Sequence, residues 1–191
     1  MAQLVACTHK SEPHGHLRHR RLAPRLLVVS ASPENIDDFA TDICTWVSTP
    51  ESLRLISGDC GNGLTRAVLH RWILSAQQSF VVLAEASRPV GFCTMCRSET
   101  LGLPPSHIEL GHLVVHPGHR YLFIGQRLCH SSRLEARRLG FAYLCGRVVE
   151  GNDYGVMLAK WEGAQEVTGI APWALSGFRW FQVETRCQST P

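Results

Sequence analysis

The residues best suited to do chemistry in this sequence are a glutamate and a histidine inside an apolar run. Glu109 and His112 lie three positions apart in HIELGHLVV, residues 107–115. A carboxylate or an imidazole can accept a proton from a substrate. An alkyl ammonium group has a reference pKa of ~10.4 and must lose a proton before it can act as a nucleophile. The pair therefore predicts a general base, and each residue is a candidate for it.

The strand that carries them sets a geometric condition. Strict alternation places residues three apart on opposite faces of a strand, so Glu109 and His112 would not share a site. Gly111, between them, is a natural position for a β-bulge, which would shift the register by one. The alternatives stay open: Glu109 can be a charge on a strand surface, and His112 a histidine packed in the core, which is the interpretation that we favour for His112.

A second chemical pattern follows in VHPGHRYLFIGQRL, residues 115–128. A strand ends, a Pro-Gly turn and one arginine follow, and a helix opens around Gly125. Free N–H groups at the start of a helix, together with its dipole, can hold a phosphate, and glycine allows close approach. Phe123 stands where glycine would fit most easily, so we expect its backbone to be helical and its ring to turn away. The alternative is an ordinary strand–turn–helix with a packing glycine.

Hydrophobic periodicity predicts the elements that position these residues. The strand RLLVVSAS precedes an amphipathic helix with Ser32 as N-cap and Pro33 at its first position, ending near Trp46 or Val47. Two further helical patterns follow, STPESLRLISG and LTRAVLHRWILSAQQ, the first of which closes at Gly58. Three short runs, SFVVLAEA, PVGFCTMCR and HIELGHLVV, then indicate an antiparallel meander.

The second half of the chain alternates helices and strands. A helix runs from about Phe123 to Leu139 and is stopped by Gly140. The strand FAYLCGRVV precedes a helix in NDYGVMLAKWEGA, which has Asn152 as N-cap candidate and ends at Gly163. Two strands, QEVTGI and GFRWFQVE, surround a turn at Ala171 and Pro172. The order predicts one mixed α/β domain without internal repeats.

Two of these segments resemble motifs of one family. Residues 109–128 resemble the strand and pyrophosphate loop of the GNAT superfamily of acetyl-CoA-dependent N-acetyltransferases, whose loop pattern is Gln/Arg-x-x-Gly-x-Gly/Ala. Arg120 and Gly125 match this pattern, and Phe123 replaces its first glycine. NDYGVMLAKWEGA resembles the family's Asn-x-x-Ala-x-x-Leu-Tyr-x-Lys-x-Gly-Phe helix. The residues in register there are Asn152, Gly155, Leu158 and Gly163.

The resemblance covers about residues 25–183 and implies a fold and an activity. The fold would be α/β (α+β), with a mixed, mainly antiparallel sheet flanked by helices and splayed fourth and fifth strands. One acetyltransferase domain would span 25–185, between a flexible basic, His-rich arm (1–24) and a tail (186–191). It would transfer the acetyl group of acetyl-CoA to a primary amine by direct attack in a ternary complex. A catalytically weak or inactive acyl-CoA-binding or sensory domain is the alternative, because Phe123 and Ala159 depart from the family pattern.

The resemblance also implies roles for individual residues. Glu109 would be the general base, with His112 as its competitor. The family's thiolate-protonating tyrosine is replaced by Ala159, which leaves Tyr154 as a substitute acid; a half-buried aromatic residue at the helix start is the interpretation that we favour. Coenzyme A would contact the loop, the strand amides and the second motif, at Arg120, Tyr121, Leu122, Phe123, Ile124, Gly125 and Gln126, at Leu113, Val114 and Val115, and at Asn152.

Composition limits the remaining functions. The 191 residues are 45% hydrophobic, enough for one full core. The net charge is +3, but residues 1–25 hold five basic residues against one acidic and the rest of the chain is about neutral, so a nucleic-acid-binding fold is not indicated. We find neither the apolar stretch of a secretory signal nor a run long enough to span a membrane, and we expect a cytoplasmic protein. The sequence leaves open whether it forms a homodimer.

Metal binding is not expected. Cys93 and Cys96, the one close pair among eight cysteines, lie on a predicted strand and would point to opposite faces. We therefore expect reduced thiols and no zinc site. The first helix carries four acidic residues that could attract a cationic amine, although acidic residues early in a helix also complement its dipole. These are Glu34, Asp37, Asp38 and Asp42.

Overall fold

A computed structural model of the chain describes residues 26–58, 61–97, 102–167 and 177–185. The predicted N-terminal arm, the C-terminal tail and the turn at Ala171 and Pro172 lie outside these residues. Seven strands form one sheet in the order β1-β2-β3-β4-β5-β7-β6. Their bounds are β1 Leu27–Ala31, β2 Gln78–Leu83, β3 Pro89–Cys96, β4 His107–Val115, β5 Tyr143–Val149, β6 Gln165–Glu166 and β7 Phe178–Glu184.

In the described ranges, five α-helices accompany the sheet, in the positions that periodicity predicts. They are α1 Asp37–Trp46, α2 Pro50–Ser57, α3 Arg66–Ser75, α4 Ile124–Arg138 and α5 Asp153–Trp161. The predicted start of α1 at Ser32 and Pro33 is wrong. The Asn35 side chain accepts a hydrogen bond from Ser32 N at 2.8 Å and donates to Ser30 O at 3.1 Å. These local bonds hold residues 33–36 in turns, so the helix begins only at Asp37.

The sheet is antiparallel except at its centre, where β4 and β5 run parallel. These two strands pair at only three positions, from His107 opposite Tyr143 to Glu109 opposite Cys145. From Leu110 to Val115, β4 continues without a paired neighbour on the β5 side within the described part of the chain. The predicted mixed sheet and its splayed fourth and fifth strands are confirmed.

Two apolar clusters bury the faces of the sheet. One joins α1, α2 and α3 to the face that carries Phe92, and the other joins α4 to the opposite face, through Ile124 and Leu128. Helix α5 contributes no buried residue. The space between α5 and the diverging strands is therefore not filled by core packing, and the candidate site lies beside it.

Candidate functional site

A cavity of about 540 Å³ opens where β4 and β5 diverge. Leu55 of α2 and Ser75 of α3 line it on one face of the sheet, and Leu158 and Ala159 of α5 line it on the other. Since helices from both faces contribute, the cavity crosses the sheet through the gap between the two strands. Such a passage can bring together two molecules that enter from opposite sides.

Glu109 and His112 both line this cavity. Along the β3–β4 pair, Phe92 faces Val114 and Thr94 faces Gly111, so Cys93 lies opposite two residues of β4. This is a β-bulge, and it brings the two side chains to one cavity as the bulge hypothesis requires. The left-handed residue is His112, with φ 49°, and not Gly111, where we expected the bulge. Histidine is among the residues that tolerate this conformation best.

The imidazole of His112 is held by its neighbours. Its Nδ1 lies 2.8 Å from Thr94 Oγ1, and its ring stacks on that of Trp72, with centroids 3.9 Å apart and planes at 12°. Burial, with a smaller effect from Arg147, lowers the pKa of His112 to about 3. The ring is therefore neutral near pH 7 and is a weak base.

Glu109 is only 2% exposed, so it is not a charge on a strand surface. Arg147 Nε of β5 lies 2.8 Å from its Oε1. The N–H is not aligned with that oxygen as a hydrogen bond, so the contact is an ion pair and Oε1 can still accept a proton from elsewhere. Burial raises the pKa of Glu109, and Arg147 opposes this shift. The carboxyl is thus a stronger base than an exposed glutamate.

Sequence reasoning misses Arg147. The available signal is its place in YLCGRVV, where a cation interrupts an apolar strand. A charge in such a position needs a partner, because an unpaired buried charge is costly. What the sequence does not show is that the strand carrying Glu109 lies beside it.

The loop before α4 combines two left-handed residues with free backbone donors. Tyr121 has φ 70° and Phe123 φ 59°, and the ring of Phe123 is 64% exposed. The expected helical backbone at Phe123 is therefore wrong, since it adopts the conformation that glycine takes most readily. Among the described residues, no acceptor bonds the N–H groups of Ile124, Gly125 or Gln126. Left-handed turns with successive free amides form an anion-binding concavity.

Other residues of the predicted loop differ in exposure. Arg120 and Leu122 are exposed, whereas the Ile124 side chain is buried and anchors the start of α4. A Cβ on Gly125 would lie 3.1 Å from Leu158 Cδ2. Glycine thus lets α5 approach the start of α4 closely, next to the cavity that Leu158 lines.

The part of β4 whose amides are predicted to contact coenzyme A, residues 113–115, lies at the open strand edge. The side chain of Leu113 lines the cavity, that of Val114 is buried against α1–α3, and that of Val115 packs on the α4 side. The side chains of Val114 and Val115 therefore pack in the core. The N–H and C=O groups of residues 113–115 on the edge toward β5 are not paired with that strand.

Asn152 and Tyr154 stand at the start of α5. Asn152 Oδ1 accepts from Gly155 N at 3.0 Å, and its Nδ2 donates to Leu55 O at 3.2 Å, so the side chain caps α5 and ties it to α2. Tyr154 is 64% exposed, not half-buried as expected, and its hydroxyl lies 2.8 Å from that of Tyr121. Tyr154 is not among the described residues that line the cavity, so the geometry gives no support for it as an acid.

Cys93 and Cys96 occupy opposite faces of β3. Cys93 is buried in the α4-side cluster, where burial raises its pKa to about 12, and Cys96 lines the cavity. Across the portion of the chain that the structure describes, no group of three or more His, Cys, Asp or Glu residues could hold a metal ion. Nor is any helix in that portion both long and apolar enough to cross a membrane.

The acidic residues of the first helix do not reach the site. Asp37 pairs with His70 of α3 at 3.0 Å. Neither Asp38 nor Asp42 of α1 is among the cavity-lining residues that the structure describes. The hypothesis that this acidic face attracts a cationic amine therefore finds no support in the geometry.

Comparison with known proteins yields structural relatives only. No family model matches the chain, and no curated protein matches its sequence. The GNAT domain of Streptomyces lividans PAT aligns with TM-score 0.69 and 12% identity, covering 85% of this chain and 94% of that one. A GNAT-family acetyltransferase of Staphylococcus aureus Mu50 aligns with TM-score 0.61 and 12% identity over 85% and 100% of the two chains.

A further relative was solved with a ligand. The structure of yncA from Salmonella typhimurium, which contains its cofactor acetyl-CoA, aligns with TM-score 0.63 and 14% identity, covering 87% of this chain and 98% of that one. Identities this low establish the fold and not the reaction. In its sheet order, its splayed central strands and these alignments, the chain has the GNAT fold.

Proposed function

We propose that this protein is an N-acetyltransferase that transfers the acetyl group of acetyl-CoA to a primary amine by direct attack in a ternary complex. The observation that carries the proposal is the cavity through the β4–β5 gap. A buried carboxylate, Glu109, lies on its α1–α3 side, and the free amides at the start of α4 lie next to its other side. The fold shared with yncA, which was solved with acetyl-CoA, supports the choice of donor.

The residues present fit coenzyme A. The N–H groups of Ile124, Gly125 and Gln126 would bind the pyrophosphate, and exposed Arg120 would add positive charge beside it. The open edge of β4 around Leu113 would pair with the amides of the pantetheine arm. When bound, acetyl-CoA supplies the acetyl group as an activated thioester.

Glu109 would prepare the acceptor. An ammonium group beside its carboxylate would give up a proton to the free lone pair of Oε1, directly or through water, leaving a neutral amine. The C–N bond then forms as the C–S bond breaks, and the acylated nitrogen loses its second proton to the coenzyme A thiolate or to water. The first proton stays on Glu109 until it is passed to solvent. The raised pKa of Glu109 brings the base closer to the operating pH. His112, neutral and stacked on Trp72, shapes the wall of the cavity.

The departing thiolate has no proton donor at the position of Ala159. A thiol with a pKa of ~8.5 is a tolerable leaving group without one. We therefore assign no general acid and expect a moderate turnover number. The ion pair with Arg147, which lowers the basicity of Glu109, and the alanine at 159 are also the features that favour an acyl-CoA-binding domain without activity.

One experiment separates the two functions. Purified protein is incubated with acetyl-CoA and a panel of primary amines, and free thiol is measured together with the acetylated product by mass spectrometry. We expect amine-dependent thiol release with equal amounts of acetylated amine. Tight binding of acetyl-CoA with no release above the amine-free control, for every amine, would reject the enzyme and favour the binding domain.

A further inference from the structure

We propose that the acceptor is a free amino acid, whose carboxylate is bound by Arg147 while its amino group faces Glu109. The inference rests on the proposed function, because it names the class of amine that the site accepts. It is carried by the arrangement of this one ion pair in the cavity wall.

Arg147 uses only part of its guanidinium group. Its Nε lies 2.8 Å from Glu109 Oε1, and its side chain passes over the ring of Phe178, with Cζ 5.3 Å from the centroid. No other described residue bonds to its two Nη groups, and Arg147 lines the cavity. The Nη groups carry four N–H donors, in the planar geometry that binds a carboxylate through two parallel bonds.

The position of Glu109 fixes where the amine would lie. The carboxylate of Glu109 adjoins the Nε edge of Arg147, and its Oε1 has a lone pair without an aligned donor. An amino acid carries a carboxylate and an ammonium group separated by one carbon atom. Its carboxylate would face the guanidinium group of Arg147, and its ammonium group would face the carboxylate of Glu109. Arg147 would thus orient the amino group toward the base.

The charge balance of the cavity favours the same class of acceptor. The charged residues that line the cavity are Arg97, Arg133, Arg147, Glu109 and Glu162, an excess of one positive charge. A carboxylate on the acceptor would neutralise the excess, whereas a polyamine would add to it.

The test compares matched acceptors with the wild-type protein. Each L-amino acid of a panel is assayed beside its primary amide and its decarboxylated amine, with acetyl-CoA as donor. The amide has a less basic amino group, so chemical reactivity alone would favour the amide. We expect kcat/KM for the best amino acid to exceed that for its amide and its amine by at least about tenfold, mainly through KM.

Arg147→Lys keeps a cation for Glu109 but removes the planar pair of donors. We expect KM for the amino acid to rise about tenfold to hundredfold relative to KM for the amide and the amine, which lack the carboxylate. Any change in kcat that comes from the altered partner of Glu109 should be shared by all three acceptors. Arg138→Lys is the matched control, because Arg138 pairs with Glu135 on the surface of α4 and does not line the cavity. It should leave the preference unchanged. Coenzyme A affinity reports whether each variant is folded.

Binding of the same acceptors to the coenzyme A-loaded protein is measured by calorimetry in parallel. If amides or decarboxylated amines are acetylated as well as amino acids, the inference is wrong while the proposed function stands. If nothing is acetylated but amino acids bind and Arg147→Lys weakens that binding, Arg147 does bind a carboxylate, but the proposed function fails and the assignment of an acceptor fails with it. Absence of both acetylation and amino acid binding overturns both.

Discussion

Glu109 and His112 line one cavity although they stand three residues apart on the same strand. A flat strand would direct them to opposite faces. The bulge opposite Cys93, with His112 in a left-handed conformation, removes that opposition. Burial makes the two groups differ as bases, because it raises the pKa of Glu109 and lowers that of His112 to about 3.

The pH dependence of stability should report the buried state of His112. Its pKa is about 3 in the folded protein against 6.5 for the unperturbed group, so between these values the unfolded chain binds a proton that the folded protein does not. The free energy of unfolding should therefore fall as pH decreases from 6.5 toward 3, by up to about 1.4 kcal/mol per pH unit from this residue. Urea unfolding of the wild type and of His112→Asn at several pH values measures the difference. Equal slopes for both proteins would contradict the assignment.

Replacement of Phe123 by glycine should stabilise the protein, contrary to the usual effect of glycine. The left-handed backbone strains a phenylalanine whose ring is mostly exposed, so the relief of about 1–2 kcal/mol exceeds the entropic cost of glycine, about 0.5–1 kcal/mol. Leu122→Gly is the matched control, since Leu122 is also exposed and has no positive φ. It should destabilise. Thermal unfolding decides, and a fall in Tm for Phe123→Gly would count against the strain.

The amides at the start of α4 should dominate coenzyme A binding. Gly125→Glu places bulk and negative charge beside them and should weaken binding by at least about tenfold. Gly125→Ala adds the same Cβ against Leu158 without the charge and should weaken binding less. Arg120→Ala should also cost less than Gly125→Glu. Calorimetric titration with coenzyme A measures all three, and a larger loss for Arg120→Ala would mean that the side chain dominates.

Tyr154→Phe should leave turnover within about twofold of wild type, because its hydroxyl bonds to Tyr121 at the surface and lies away from the cavity lining. A general acid would typically contribute ~10²–10⁴-fold. Steady-state thiol release with saturating acetyl-CoA is the measurement. A fall of that size in the folded variant would restore Tyr154 as the proton donor.

The order of elements could be predicted from the sequence because each one carries its own periodicity. The hydrophobic pattern marks α4, and Gly58 marks the end of α2. The start of α1 was missed because an asparagine side chain, competing locally for backbone bonds, outweighs Pro33 as a helix signal.

The site was only partly accessible to the same reasoning. Glu109 and the loop before α4 could be found, since each lies in one continuous motif. Arg147 could not be paired with Glu109, because that contact joins strands separated by α4 in the sequence. The left-handed backbone of Phe123 could not be predicted either, because phenylalanine disfavours this conformation and its residue type therefore indicates a helical backbone.

The central claim is that Glu109 accepts the proton of the acceptor amine inside the cavity. Glu109→Gln keeps the size of the side chain and an oxygen for Arg147, but removes basicity. We expect kcat for thiol release to fall ~10²–10⁴-fold with coenzyme A affinity nearly unchanged, and the rate to recover in part as pH rises and more of the amine is already neutral. A Glu109→Gln variant with the wild-type rate and pH profile on its preferred amine would contradict the account.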